Sequence, residues 1–149
     1  MAEPELTFDL PVDPDKVAEF ATAVGEDNPL FFDREVAGRH GFPNVLAPPT
    51  FTVTQIFQVG RDEREQRLGS NLDYARVLHG EQEFTYERLP VAGETLQGTM
   101  RIAKDFVKQG KRGGDMRFVT YESVFTDADG ALVLTANYTL IETSKDADS

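Results

Sequence analysis

The chain contains no cysteine and no tryptophan, and it has only two histidines among its 149 residues. Without cysteine it has no disulfide framework, no thiolate nucleophile and no cysteine-ligated metal. Basic residues are also few, because 15 Lys plus Arg stand against 26 Asp plus Glu and leave a net charge of −11. A field of that sign repels nucleic-acid phosphates and anionic membrane surfaces, so we expect neither as a partner.

Long apolar runs are absent as well. No stretch approaches the ~18 apolar residues of a membrane-spanning helix, and the first residues lack the basic and apolar regions of a signal peptide. We therefore expect a cytoplasmic protein. With 40% apolar residues, the chain can build one core of ordinary domain size. We place that domain at residues 1–143 and a disordered polar tail at residues 144–149.

The first half of the chain has helical periodicity. Asp13 as N-cap, followed by proline, predicts a helix that ends at the glycine after residues 14–24. Asp33 predicts a second, short helix that ends at the first or the second glycine within 34–41. A third apolar pattern predicts a central buried helix over residues 50–64.

The second half changes to the alternation that is typical of strands. The predicted strands cover 82–88, 94–108, 116–125 and 132–140, and a hairpin turn covers 127–130. Helices followed by consecutive hairpin strands indicate an α+β fold, in which an antiparallel β-sheet is wrapped around a central helix.

Any mechanism that needs an imidazole depends on His40 or His79. His40 precedes a proline turn and is interpreted as a solvent-facing loop residue. His79 lies at the start of a strand beside Gly80, which lets another backbone or a ligand approach closely. A structural hydrogen-bonding role and a functional role both stay open for it. The phosphate-loop, zinc-protease and serine-hydrolase signatures are absent, and we expect no metal and no cofactor.

Four segments resemble a known family. Residues 25–33 (GEDNPLFFD) resemble the motif D-x-N-P-x-H-x-D of the MaoC-like (R)-specific enoyl-thioester hydratases and dehydratases. Residues 41–51 (GFPNVLAPPTF) resemble the family's overhanging segment before its central helix, and residues 90–96 (PVAGETL) resemble its P-V-x-x-G-D-T-L turn. Residues 74–86 (YARVLHGEQEFTY) are similar to the N-terminal, dehydratase-like branch in actinobacterial (3R)-hydroxyacyl-carrier-protein dehydratase subunits. The resemblance implies a single hot-dog domain.

The chain departs from the family at the residues that carry the chemistry. When the motifs are aligned on Asn28, the catalytic aspartate position holds Glu26 and the catalytic histidine position holds Phe31. In active relatives the Asp and His together hold the water that adds to, or leaves from, the β-carbon of the thioester. Active members also read A-H-G where residues 47–49 read APP, so the backbone N–H that polarises the thioester carbonyl is missing.

The resemblance and its departures together imply the non-catalytic, substrate-binding subunit of a heteromeric (R)-3-hydroxyacyl-thioester dehydratase. Its partner is then a MaoC-like catalytic subunit with an intact Asp/His pair, and the chain alone is inactive or weakly active. Two alternatives stay open: a homodimeric hydratase that uses Glu26 or His79, and a module that only binds an acyl thioester. Coenzyme A and acyl carrier protein are both open as the carrier. The predicted substrate-binding residues are Asn28, Phe31, Pro48, Pro49, His79 and Gly80.

Two basic clusters are candidates for docking an acidic carrier protein. They consist of Arg61, Arg64 and Arg67, and of Lys111 and Arg112. We favour the simpler interpretation, in which the first is a solvated helix end and the second a hairpin loop.

Overall fold

The strands form one antiparallel sheet in a computed structural model that describes residues 2–112 and 114–144. The sheet order is β1-β3-β4-β5-β2, so that β1 and β2 are its edges. Residues 145–149 of the predicted tail lie outside the described residues. The strands are β1 (Leu6–Pro11), β2 (Val77–Tyr86), β3 (Thr95–Gln109), β4 (Asp115–Thr126) and β5 (Leu132–Glu142).

The described residues contain three α-helices, which are α1 (Pro14–Ala23), α2 (Arg34–Arg39) and α3 (Arg61–Leu68). The predicted caps of the first two are confirmed, because the carboxylates of Asp13 and Asp33 each accept hydrogen bonds from two backbone N–H groups in the first turn. Among the described residues, no helix has the length and apolar character needed to cross a bilayer.

The predicted central helix over residues 50–64 is wrong as a continuous element. Phe51–Phe57 is a 3-10 helix, and α3 begins separately after Gly60, whose backbone is extended. The apolar side chains of this segment do not share one buried face. Phe51 is buried, whereas Ile56 is 57% and Phe57 84% exposed. Without burial of those side chains, little tertiary packing favours a regular helix there.

Strand β1 was not predicted, although Leu6 and Leu10 alternate with polar residues and are buried. It adds a fifth strand at the edge beside β3. The predicted α+β fold is nevertheless confirmed, since the sheet packs on α1 and on the Phe51–Phe57 segment. The main core cluster consists of Leu10, Val12, Val17, Val45, Ala47, Phe51, Ala92, Leu96, Phe125, Val133, Leu134 and Ala136.

Gly98 on β3 provides a test of this core. It lies opposite Phe8 on β1, and a Cβ added to Gly98 would lie 2.3 Å from Phe8 Cζ. The Phe8 ring packs edge-on against Phe125 with 5.9 Å between centroids, so it cannot move without disturbing the core. We expect Gly98→Ala to lower the free energy of unfolding by ~1–3 kcal/mol, measured by urea denaturation.

The matched control is Gly38→Ala in α2, where an added Cβ meets no atom within 4 Å. We expect this variant to be as stable as the parent or slightly more stable, because alanine favours a helix. Equal unfolding midpoints for Gly98→Ala and the parent would contradict the close contact.

Candidate functional site

A cleft of about 360 Å³ opens between the Phe51–Phe57 segment, α3 and the β2 side of the sheet. Its volume lies at the lower end of the ~300–1,000 Å³ that ligand pockets usually have. Burial separates its lining into two levels. The exposed rim residues are Val53, Ile56, Arg61, His79 and Gln82, and the buried floor residues are Gln55, Val59, Arg64, Met100 and Leu140.

A bulge in β2 brings two polar side chains to this cleft. The pairing of β2 with β5 shifts between His79 and Glu81, so that Gly80 is an extra residue. His79 and Gln82 therefore line the cleft together, although they are three positions apart. An added Cβ at Gly80 would lie 2.5 Å from Ile141 Cδ1, so another residue at the bulge would force the Ile141 side chain to move.

A buried polar cluster lies at the floor of the cleft. Arg64 Nη1 donates to the Tyr138 hydroxyl at 2.7 Å, and Nη2 donates to the Tyr74 hydroxyl at 2.5 Å. The Tyr74 hydroxyl in turn donates to Glu65 Oε1 at 2.7 Å. The guanidinium also lies over the Tyr121 ring, 4.8 Å from its centroid. The Arg64 charge is thus linked to a carboxylate through a tyrosine hydroxyl.

The prediction that Arg64 belongs to a solvated helix end is wrong. Helix α3 places Arg64 and Leu68, four residues apart, on the face that packs toward the sheet, and both are buried. Its neighbours Arg61 and Arg67 are exposed, as predicted. Lys111 and Arg112 are also exposed, in the turn between β3 and β4.

The protonation states in this cluster are set by burial and hydrogen bonds. Burial opposes ionisation of Glu65, but hydrogen bonds from Ser70, Tyr74, the Asn71 backbone and Tyr121 outweigh it and hold its pKa below the usual value. Burial raises the pKa of Tyr138 to about 12 and also raises that of Tyr121. Near neutral pH, Glu65 is therefore ionised and the tyrosines are protonated.

These pKa values predict a loss of stability in alkali. An unfolded tyrosine has a pKa of about 10, so between pH 10 and the folded value of about 12 the unfolded chain binds fewer protons than the folded one. The stabilisation is complete below pH ~10 and is lost as the pH rises through ~12. Urea midpoints measured from neutral to strongly alkaline pH are expected to fall, and less steeply in Tyr138→Phe. Parallel profiles for the parent and Tyr138→Phe would contradict a raised pKa of Tyr138 in the folded chain.

The predicted site residues fall into two groups. Glu26, Asn28 and Phe31 follow α1, where the Asn28 side chain caps the 3-10 turn Pro29–Phe31 by accepting from the Leu30 N–H. Phe31 is buried in an apolar cluster that does not include the residues lining the cleft. His79 and Gly80 form the second group on β2, and of the predicted substrate-binding residues His79 alone belongs to the described lining of the cleft.

Pro48 and Pro49 lie between the two groups in sequence. Pro48 is buried and Pro49 is exposed, and the Pro49 carbonyl accepts a hydrogen bond from the Tyr86 hydroxyl at the end of β2. Neither proline has a backbone N–H to offer a ligand.

The described lining of the cleft is cationic and polar as well as apolar. This described lining contains two guanidiniums, one imidazole and no carboxylate, although the chain has a net charge of −11. Within the described residues, no three His, Asp or Glu side chains come together as a metal site.

Comparison with known proteins identifies the family. Residues 6–136 match the model of the FAS1-like, dehydratase domain region. The chain belongs to this family. A UPF0336 protein of Clavibacter michiganensis subsp. michiganensis is 42% identical over 134 residues, which is 89% of this chain and 85% of that protein.

Two solved structures extend the family likeness. The HadBC complex of Mycobacterium tuberculosis, a 3R-hydroxyacyl-ACP dehydratase, contains a chain with a TM-score of 0.72 and 25% identity, covering 95% of this chain and 98% of that one. A MaoC-like dehydratase gives a TM-score of 0.79 and 26% identity over 97% of this chain and 43% of that one. The predicted hot-dog fold and MaoC-like relationship are confirmed, and this FAS1-like chain is a member of the hot-dog dehydratases and hydratases.

Proposed function

We propose that this chain is the non-catalytic, substrate-binding subunit of a heteromeric (R)-3-hydroxyacyl-thioester dehydratase. The observation that carries the proposal is Phe31. It occupies the motif's histidine position, and its ring is only 6% exposed within an apolar cluster with Ala21 and Leu46. A phenyl ring neither gives nor takes a proton, so Glu26 lacks the base with which an acidic residue at its position is paired.

The segment at Pro48 and Pro49 supports the same conclusion. Loss of one oxyanion-stabilising N–H typically costs ~10²–10³ in rate, and loss of general acid–base catalysis ~10²–10⁴. Together these losses leave little turnover for the chain alone.

The exposed edge of the sheet supports a partner subunit. Strand β2 pairs on one side with β5, its residues 78–83 are all exposed, and its other side has no neighbouring strand among the described residues. Leu78 on this strand adds exposed apolar surface, as do Ile56, which lines the cleft, and the next residue in sequence, Phe57. Such an edge pairs readily with another chain, and such a patch is typical of an interface. A MaoC-like subunit that docks here would also cover the cleft.

The test compares the purified chain alone with the chain plus a candidate MaoC-like partner, using hydration of trans-2-enoyl thioesters. We expect turnover in the mixture and none from the chain alone. Glu26→Gln is expected to leave the rate of the complex unchanged, as is the matched control Asp27→Asn. Robust hydration by the isolated chain that Glu26→Gln abolishes would reject the non-catalytic role.

A second candidate function rests on His79, because this imidazole lines the cleft. In a homodimeric hydratase it would act as the acid or base, and His79→Ala would then lower kcat of the isolated chain. A residue that only contacts substrate would mainly raise KM.

A further inference from the structure

We propose that the floor of the cleft recognises a carboxylate at the far end of a short acyl group. The subunit would thereby favour ω-carboxyacyl thioesters over plain alkyl ones. This inference rests on the proposed function, because it names the substrate class of the same cleft.

The first observation is a pair of buried polar atoms. Arg64 Nε and Gln55 Oε1 have no hydrogen-bond partner among the described residues, and both residues line the cleft. Arg64 is 9% and Gln55 7% exposed. Leaving such atoms unpaired costs free energy, and a bound ligand that pairs them removes that cost. An arginine N–H can only donate, so its ligand must present an acceptor oxygen.

The second observation is the charge around these atoms. Arg61 and Arg64 are the two guanidiniums in the described lining, and no carboxylate belongs to that lining. Arg61 Nε lies 3.7 Å from Asp62 Oδ1 outside the cleft, whereas Arg64 has no direct ion pair among the described residues. Glu65, the carboxylate linked to Arg64 through Tyr74, already accepts hydrogen bonds from Ser70 and Tyr74. An anionic oxygen is therefore favoured over a neutral one at Arg64 Nε, since charge-assisted hydrogen bonds are the stronger kind. The Gln55 amide, also at the floor of the cleft, carries an N–H₂ donor that a second ligand oxygen can accept from.

The third observation is the shape of the cleft. Its buried walls are apolar at Val59, Met100 and Leu140, and its volume is about 360 Å³. A short methylene chain can pack on these apolar side chains. A plain alkyl end would contact the Arg64 guanidinium without pairing its Nε–H. The lining of the cleft thus combines apolar side chains with a buried guanidinium, which matches an acyl group with a distal carboxylate.

The experiment measures binding to the full chain by calorimetry. The probes are the pantetheine thioesters of hexanoic, ω-hydroxyhexanoic and adipic acid, which share one chain length. We expect the adipoyl probe to bind at least ~10-fold more tightly than the hexanoyl probe, with the hydroxy probe between them. Equal binding of the three, or tighter binding of the hexanoyl probe, would overturn the proposal.

The variants locate the preference. Gln55→Leu removes one unpartnered atom and is expected to reduce the preference for adipoyl at least threefold, whereas Arg67→Met, which removes an exposed guanidinium from the same helix, leaves it unchanged. Arg64→Met is expected to abolish the preference for adipoyl, provided that circular dichroism shows this variant to be folded. If Arg64→Met does not fold, the result for Gln55→Leu tests the proposal. A preference that persists in Gln55→Leu would overturn the proposal.

Two further outcomes are distinguishable. If coenzyme A thioesters bind more tightly than pantetheine thioesters whatever their acyl end, and Arg61→Met erases that difference, the cations serve the carrier's phosphates and the carboxylate proposal fails. If the isolated chain hydrates enoyl thioesters, the proposed function fails, but the adipoyl preference is still measured as binding.

Discussion

Phe57→Glu is expected to prevent this chain from assembling with the proposed MaoC-like partner and to remove the dehydratase activity expected of the mixture. The Phe57 side chain is 84% exposed in the isolated chain, so its replacement costs the fold little. In the proposed complex this side chain, which follows the cleft residue Ile56, would be buried against the other subunit, where a carboxylate without an ion-pair partner is strongly unfavourable. Loss of a central aromatic contact alone typically costs ≥ ~2 kcal/mol, and the buried charge adds to it. We expect affinity to fall by at least ~100-fold.

Co-elution of the two subunits on size-exclusion chromatography measures the effect, and the thermal midpoint of the variant checks its fold. The matched control is Val107→Glu, because Val107 is 61% exposed on β3, which β4 and β5 separate from β2. It is expected to leave assembly intact. Normal assembly of Phe57→Glu would show that the partner does not dock on this face.

Phe57 also explains why the apolar pattern of residues 50–64 wrongly predicts one continuous buried helix. An apolar side chain that faces a partner has the same sequence signature as one that faces the core, so Ile56 and Phe57 extended the pattern of a buried helix. Only the exposure of Ile56 and Phe57 shows that they do not face the core, and exposure depends on the whole fold. Elsewhere, local residue chemistry was sufficient to predict the structure. Asp13 and Asp33 cap helices because a carboxylate satisfies free N–H groups whatever the tertiary structure.

The polar floor of the cleft could not be predicted from local pattern. Helix α3 reads RDEREQRL, which gives no sign that one of its arginines is buried. Arg64 is buried because its partners come from elsewhere, Tyr74 being ten and Tyr138 seventy-four residues away in sequence. The strand sequences contain one sign of this polar cluster. Tyr121 and Tyr138 face each other across β4 and β5, and buried tyrosine hydroxyls require polar partners.

Arg64→Met is expected to lower the free energy of unfolding by ~1–3 kcal/mol. The substitution leaves the hydroxyls of Tyr74 and Tyr138 without their cationic donor and leaves the Glu65 carboxylate without the balancing charge in its network. The loss is costly because these groups are partly buried and their desolvation is no longer compensated. Against a total stability of ~5–15 kcal/mol for a domain, this is a large share.

The measurement is the urea midpoint and slope of the isolated chain at neutral pH. Arg67→Met on the exposed side of α3 is expected to lie within ~0.5 kcal/mol of the parent. The double variant Arg64→Met/Glu65→Leu is expected to be less stable still, because Glu65 accepts hydrogen bonds from Ser70, Tyr74 and the Asn71 backbone that leucine cannot accept. If Arg64→Met alone were as stable as Arg67→Met, the guanidinium would not support the fold. Arg64 Nη1 and Nη2 donate within the protein, and Nε has no hydrogen-bond partner among the described residues. Under the carboxylate proposal, one side chain would therefore both stabilise the fold and supply a donor to the acyl group.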